Sequence, residues 1–175
     1  MGISFARIAC LSLFIVVMSL TYGCASVQSR GYVSAPAWAA NYTEDYIQEF
    51  WVLTESGQRT GLEGIQVSEF SRGGTSGGHM GYASVPGVGQ TIKVVWRVGG
   101  HNDAEATWKT FSKDVVVKGE TSNNPETGNF LIIRFFPQHE VEAEFVWEWA
   151  KPYAKSSPRV DQLFYGHRVM RQLGE

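Results

Sequence analysis

Cysteine is almost absent from this chain. Of 175 residues only Cys10 and Cys24 are cysteines, and both lie near the N-terminus. Nothing downstream remains to form a disulfide or a cysteine-based metal site. The four histidines, His79, His101, His139 and His167, show no H-x-x-x-H, H-E-x-x-H or H-x-H spacing, so a zinc pattern is missing as well. No G-x-x-x-x-G-K loop and no strand–G-x-G-x-x-G–helix unit occurs, so nothing is shaped to cradle a nucleotide phosphate. A basic excess is also missing: 15 Lys and Arg stand against 17 Asp and Glu, which excludes the electrostatic footprint of a nucleic-acid binder. No cofactor is expected. Long hydrophobic runs are lacking too. The longest, Ile8 to Leu20, falls short of the roughly 20 residues of a transmembrane helix.

That short run is informative in its setting. A single positive charge at Arg7, an apolar stretch, and Gly23 before Cys24 describe a secretory signal peptide over residues 1–23. Thr21-Tyr22-Gly23-Cys24 resembles the bacterial lipobox, although Leu20 stands four rather than three residues before the cysteine and Tyr22 is bulky. The expectation is that Cys24 becomes the lipid-bearing first residue. Acyl chains would then hold the chain to a membrane at about 0.8 kcal/mol per buried methylene. Ala25 favours the outer membrane, on its periplasmic face. Residues 24–40, rich in Ala and Ser and short of charge, read as a tether, which leaves 41–175 as one β-rich domain.

The body has the period of strands. Ile92, Val94, Trp96 and Val98 share one face of TIKVVWRV, with Lys93, Val95 and Arg97 on the other. Tyr46 to Leu53 is aromatic and β-branched. Asn129 to Phe136 is apolar on both faces except at Arg134, as in a central strand. In EVEAEFVWEW, Val141, Ala143, Phe145, Trp147 and Trp149 alternate with Glu140, Glu142, Glu144, Val146 and Glu148. Pro137-Gln138-His139 reads as the hairpin turn between these last two strands. Weaker strands are predicted over Ile65 to Phe70, Met80 to Val85 and Thr107 to Val117. Val160, Leu163, Phe164 and Met170 fit a short C-terminal helix, which Gly166 weakens. With no alternating strand–helix pattern, the predicted fold is all-β: a single antiparallel β-sandwich or open barrel.

Two features invite a functional reading. Gly74-Thr75-Ser76-Gly77-Gly78 fits the G-x-S-x-G of a hydrolase nucleophile elbow. That elbow needs a helix after the serine and a parallel sheet beneath it, and HMGYASVPGVG starts no helix. Asp161 and His167 follow Ser76 in triad order but carry no further signature. A glycine-rich loop is the simpler reading, and no catalytic residue is assigned. The second feature is the acidic ladder of Glu140, Glu142, Glu144 and Glu148. Neighbours on one strand face sit about 7 Å apart, within reach of paired-carboxylate glycosidase chemistry. The plain reading is a solvated strand face; the sharper one is a docking surface for a basic protein. The ladder and the loop at Gly73, Gly74, Ser76, Gly77 and Gly78 are the candidate partner-binding residues. The tryptophans at 51, 96, 108, 147 and 149 read as core rather than as a sugar-stacking platform. Asn41-Tyr42-Thr43 is formally a glycosylation sequon and is set aside.

Several landmarks fall in a familiar order. Asn41-Tyr42-Thr43-Glu44-Asp45-Tyr46-Ile47, the stretch Gly73 to Gly78, Ser84-Val85-Pro86, the strand Thr91 to Trp96 and Ile132 to Val141 together resemble a bacterial lipoprotein family known as a domain of unknown function. The resemblance spans roughly residues 41 to 147. Two departures stand out: Gly81-Tyr82 replaces a frequent Cys-Cys pair, and Gln138-His139 replaces an Asp-Gly turn. The resemblance implies an exported lipoprotein whose relatives include periplasmic immunity proteins against type VI secretion phospholipase effectors. Such a protein is no enzyme; it binds and silences one. The alternative is a structural or envelope-assembly lipoprotein.

Overall fold

The computed structural model describes residues 31–74, 82–124 and 127–147. Among these residues nine strands form two sheets: β1 (Tyr32–Asn41), β2 (Ile47–Thr54), β3 (Arg59–Val67), β4 (Tyr82–Pro86), β5 (Thr91–Val98), β6 (Lys109–Val116), β7 (Lys118–Gly119), β8 (Asn129–Phe136) and β9 (Glu140–Trp147). One sheet has the order β4-β1-β8-β9-β7, the other β3-β2-β5-β6. The expected all-β sandwich is thus present. Its pairs are antiparallel except β1 with β8 and β7 with β9, which run parallel. The expected C-terminal helix lies outside the described residues, as do the signal peptide and Cys24.

Alternation decides which residues enter the core. Val94 and Trp96 of β5, Phe50 and Val52 of β2, Leu131, Ile133 and Phe135 of β8, and Val141, Ala143 and Phe145 of β9 interdigitate between the sheets, as period-two strands require. Aromatic rings join the layers. Phe135 meets Phe50 at 5.7 Å and Trp96 at 5.5 Å between centroids, and Trp96 meets Phe111 at 5.8 Å. The strands read at Thr91 to Val98 and Asn129 to Phe136 stand where expected. Of the tryptophans, Trp96 is core. Trp51 lies opposite Val95 in the register and is only half-buried, on the outer face of its sheet, so the core reading fails there.

The tether expected over residues 24–40 is corrected by β1. From Tyr32 onward the chain is an interior strand whose Ala35, Ala37 and Ala39 lie in the core. Its composition hid it: alanine and proline have low β-propensity, and Pro36 argues against a central strand. The register removes the objection. β1 pairs with β4 over Tyr32 to Pro36 and with β8 only from Ala37, so Pro36 has no ladder bond to forfeit on the β8 side.

Two neighbouring strands of the second sheet, β2 and β3, approach closely at one glycine. A Cβ on Gly64 of β3 would stand 2.4 Å from Cε1 and 2.6 Å from Cζ of buried Phe50. Gly64→Ala is therefore expected to destabilise the fold by about 1–3 kcal/mol through overpacking. Urea denaturation measures this, and combining it with Phe50→Leu should recover part of the loss, since the two sites share one contact.

Candidate functional site

The strand directions gather four connections at one end of the sandwich: residues 42–46, the segment from Ser68 to Gly74, the β5–β6 connection from Gly99, and the turn Pro137–His139. Between the first and the last of these lies a cleft of about 340 Å³, with Tyr42, Asp45, Trp96, Phe136, His139 and Glu140 among its walls.

A side-chain cluster ties three of these connections together. His101 Nε2 lies 2.9 Å from Glu69 Oε1 and 3.4 Å from Arg72 Nη1. The nearer carboxylate assigns the Nε2 proton as a donor to Glu69. The Tyr46 ring lies against the imidazole, 3.9 Å between centroids at 32°. Burial, then the Glu69 charge, raises the Tyr46 phenol above its ordinary value. Burial also pushes the Glu69 carboxyl up. That push is outweighed by a backbone hydrogen bond, the His101 hydrogen bond and the charges of His101 and Arg72, so Glu69 titrates below its ordinary value. Its second oxygen, Oε2, is buried and has no hydrogen-bond partner among the described residues. Further bonds pin the same loops: Ser71 Oγ donates to Glu44 Oε2 at 2.6 Å, Gln48 Nε2 to the Gly100 carbonyl at 2.7 Å, and the Gly100 amide to Asp103 Oδ2 at 2.7 Å.

The predicted partner-binding residues divide. The glycine-rich loop begins at this end. Gly73, at φ 111°, closes a 3-10 turn over Phe70–Arg72, and the Gly74 carbonyl accepts from the Asn41 amide at 2.7 Å. Ser76, Gly77, Gly78, His79, Glu148, Asp161 and His167 lie outside the described residues. The acidic ladder is not the free face it was read as. Glu142 and Glu144 are each 5% exposed. Lys118 Nζ lies 3.2 Å from Glu142, and Arg134 Nη1, itself fully buried, lies 2.8 Å from Glu144. Among the described members only Glu140 is half-exposed, joined to Lys113 at 2.7 Å. Alternation placed these carboxylates on one face correctly; it carries no information on whether that face is covered. Their charge is consumed within the fold, as burial demands.

Sequence reading missed the Tyr46–Glu69–His101 cluster because its members lie 23 to 55 positions apart and form no motif. Only the topology joins them. The Glu–His pair could in principle move a proton, but its donor nitrogen is already engaged by the carboxylate. Among the described residues no group of three His, Cys, Asp or Glu side chains gathers for a metal. The arrangement is one that shapes loops. Against family models, curated proteins and solved structures alike, no match to this chain is found.

The pair has a pH signature. A carboxyl depressed in the folded state adds stability above its ordinary range, and that stability is lost as the pH falls through the folded value. Glu69→Gln should lower unfolding free energy by about 1 kcal/mol near neutrality. In thermal melts the gap between variant and wild type should close as the pH falls through the depressed Glu69 value, below which both are uncharged at this position.

Proposed function

We propose that this chain is an exported lipoprotein without catalytic activity that works by binding a protein partner through the loop end of its sandwich. The partner is a secreted phospholipase effector, which the chain binds and inhibits as an immunity protein in the periplasm. The observation carrying the binding part is the loop end itself: connections laced by Glu69–His101, Glu44–Ser71 and Gly100–Asp103, beside a cleft walled by residues 42–45 and the turn Pro137–His139. Loops held by a rigid scaffold are where recognition concentrates, and loops ordered beforehand lose less entropy on binding. The phospholipase as partner rests on the family resemblance.

An immunity protein needs occlusion rather than chemistry. A stable complex buries more than about 1,000 Å², with a few aromatic or arginine anchors near its centre. Arg72, Tyr46 and the exposed turn at Gln138 and His139 are suitably placed. A lipid on Cys24 would raise the local concentration of inhibitor at the membrane the effector attacks.

The test is a pull-down of the chain from Ser26 onward against the product of each neighbouring gene, coupled to a lipase assay. Stoichiometric capture that silences a lipase is expected. Arg72→Ala with His139→Ala should weaken it by about tenfold or more, while Glu55→Ala, in the turn at the far end of β2, leaves it unchanged. Capture of a non-enzymatic envelope protein instead, with no lipase bound, would replace immunity by envelope assembly. Separately, Cys24→Ala should move the protein from the membrane fraction to the soluble one, because the acyl chains supply the anchor.

A further inference from the structure

The cleft beside the hairpin tip has an apolar floor and an acidic mouth. Ile47, Trp96 and Phe135, all buried, form the floor. One wall is residues 42–45; the other is the turn Pro137–His139 with Glu140. Both walls are fixed before anything enters. Tyr42 stacks on Phe136 at 5.1 Å and 7°, and its amide donates to the Phe135 carbonyl at 2.8 Å. Opposite, His139 lies flat on Phe111, 3.9 Å between centroids.

Three carboxylates belong to these walls: Glu44 and Asp45 on one, Glu140 on the other. Two of them are engaged. Glu44 Oε2 accepts from Ser71 Oγ at 2.6 Å, and Glu140 Oε1 accepts from Lys113 Nζ at 2.7 Å. Asp45 differs. Its backbone is held at both ends: the amide donates to Thr43 Oγ1 at 3.2 Å, and the carbonyl accepts from Asn41 Nδ2 at 2.7 Å. Its side chain is exposed, and its carboxylate makes no ion pair or hydrogen bond among the described residues. Among the described wall residues His139 is the one basic side chain.

We propose that this cleft is the socket for an arginine side chain of the protein partner, an inference that rests on the loop end being the partner-binding surface. The floor has nothing to pair with a buried charge. A charged head therefore stays at the mouth while its aliphatic stem covers the floor. A wholly apolar side chain would fill the floor but leave Asp45 to lose water without gaining a partner. An acidic one would meet like charge. Arginine fits better than lysine. Its guanidinium is flat and weakly hydrated, lies well against aromatic rings, and carries five donors that can serve carboxylates on both walls. The lysine ammonium is compact and strongly hydrated.

Two measurements separate this inference from the function it rests on. The first needs no partner. It is an NMR titration of the chain from Ser26 onward, which retains every described strand, with the acetylated tripeptide amides Gly-Arg-Gly, Gly-Lys-Gly and Gly-Gln-Gly as probes. The arginine peptide should shift the Trp96 indole and Asp45 amide signals, and the glutamine peptide should not. The lysine peptide should bind about threefold more weakly. Binding should weaken severalfold between about 0.05 and 0.5 M salt. Asp45→Asn should weaken it by about three- to fivefold, with an unchanged thermal midpoint because the backbone bonds remain. The second is the pull-down with the neighbouring gene products, where Asp45→Arg should weaken capture by about tenfold or more by placing like charge at the socket. Failure of wild-type capture with the arginine peptide still bound would sink the effector as partner and keep the socket. Capture indifferent to Asp45→Arg would overturn the socket and keep the effector. Peptide binding that is absent, equal for glutamine, or intact in Asp45→Asn would also overturn the socket.

Discussion

The loop end depends on one amide side chain. Asn41, the last residue of β1, is fully buried. Its Nδ2 donates to the Asp45 carbonyl at 2.7 Å and to the Ser68 carbonyl at 3.0 Å. Its Oδ1 accepts from the Thr43 amide at 3.0 Å and the Thr43 hydroxyl at 2.8 Å. Two donors and two acceptors are the full capacity of a carboxamide, and here all are used. Aspartate could not donate and leucine could do neither; either would strand buried backbone groups at about 1–3 kcal/mol each. Because β1 runs parallel to β8, Asn41 ends level with Phe135, where the two neighbouring connections can converge on it. The same burial removes Asn41 from any glycosylating enzyme once the chain is folded, although Asn41-Tyr42-Thr43 spells the sequon.

What was legible in the sequence follows from contrast between the two faces of a strand. Thr91 to Val98 alternates apolar with polar and was placed to the residue. Asn129 to Phe136, apolar throughout, was read as a central strand and lies between β1 and β9. β1 has no such contrast. Its inward side chains are alanines, and its outward ones include Pro36, Trp38 and Ala40. Small side chains there admit close approach of neighbouring elements, a property that leaves no mark in a hydropathy pattern. β3 was misplaced for a related reason. Its inward positions include Leu62 and Gly64, and the glycine that accommodates Phe50 reads as a break.

The acidic ladder shows where pattern reading stops. Arg134 was the one charge in an otherwise apolar strand, and four carboxylates alternated along the next. Register places Arg134 opposite Glu142 and Ile132 opposite Glu144, so the arginine and these two glutamates form one buried set, which exposed Lys118 meets at Glu142. A buried guanidinium requires carboxylates nearby, and an ion pair so placed is a constraint on structure more than a source of stability. Charges that looked available to a partner are spent internally. The polar groups that remain exposed at the loop end are the ones left for exchange with other molecules.

The turn Pro137–His139 connects these points. Gln138 and His139 both have positive φ, 64° and 61°, a conformation that disfavours residues with a Cβ by about 1–2 kcal/mol. An Asp-Gly turn would relieve half of that strain. It would also remove the imidazole that lies flat on Phe111, 3.9 Å between centroids at 18°, with Trp96 at 6.4 Å. Phe111 and Trp96 belong to the opposite sheet, so the histidine ties the tip of the β8–β9 hairpin across the open end of the core. An aromatic contact of this kind contributes about 1 kcal/mol, comparable to the strain at His139 itself. The net effect on stability is small, but the effect on rigidity is not. A hairpin tip fixed to both sheets is a fixed rim for the cleft, and a rim that need not be ordered on contact leaves more of the interaction free energy for the partner.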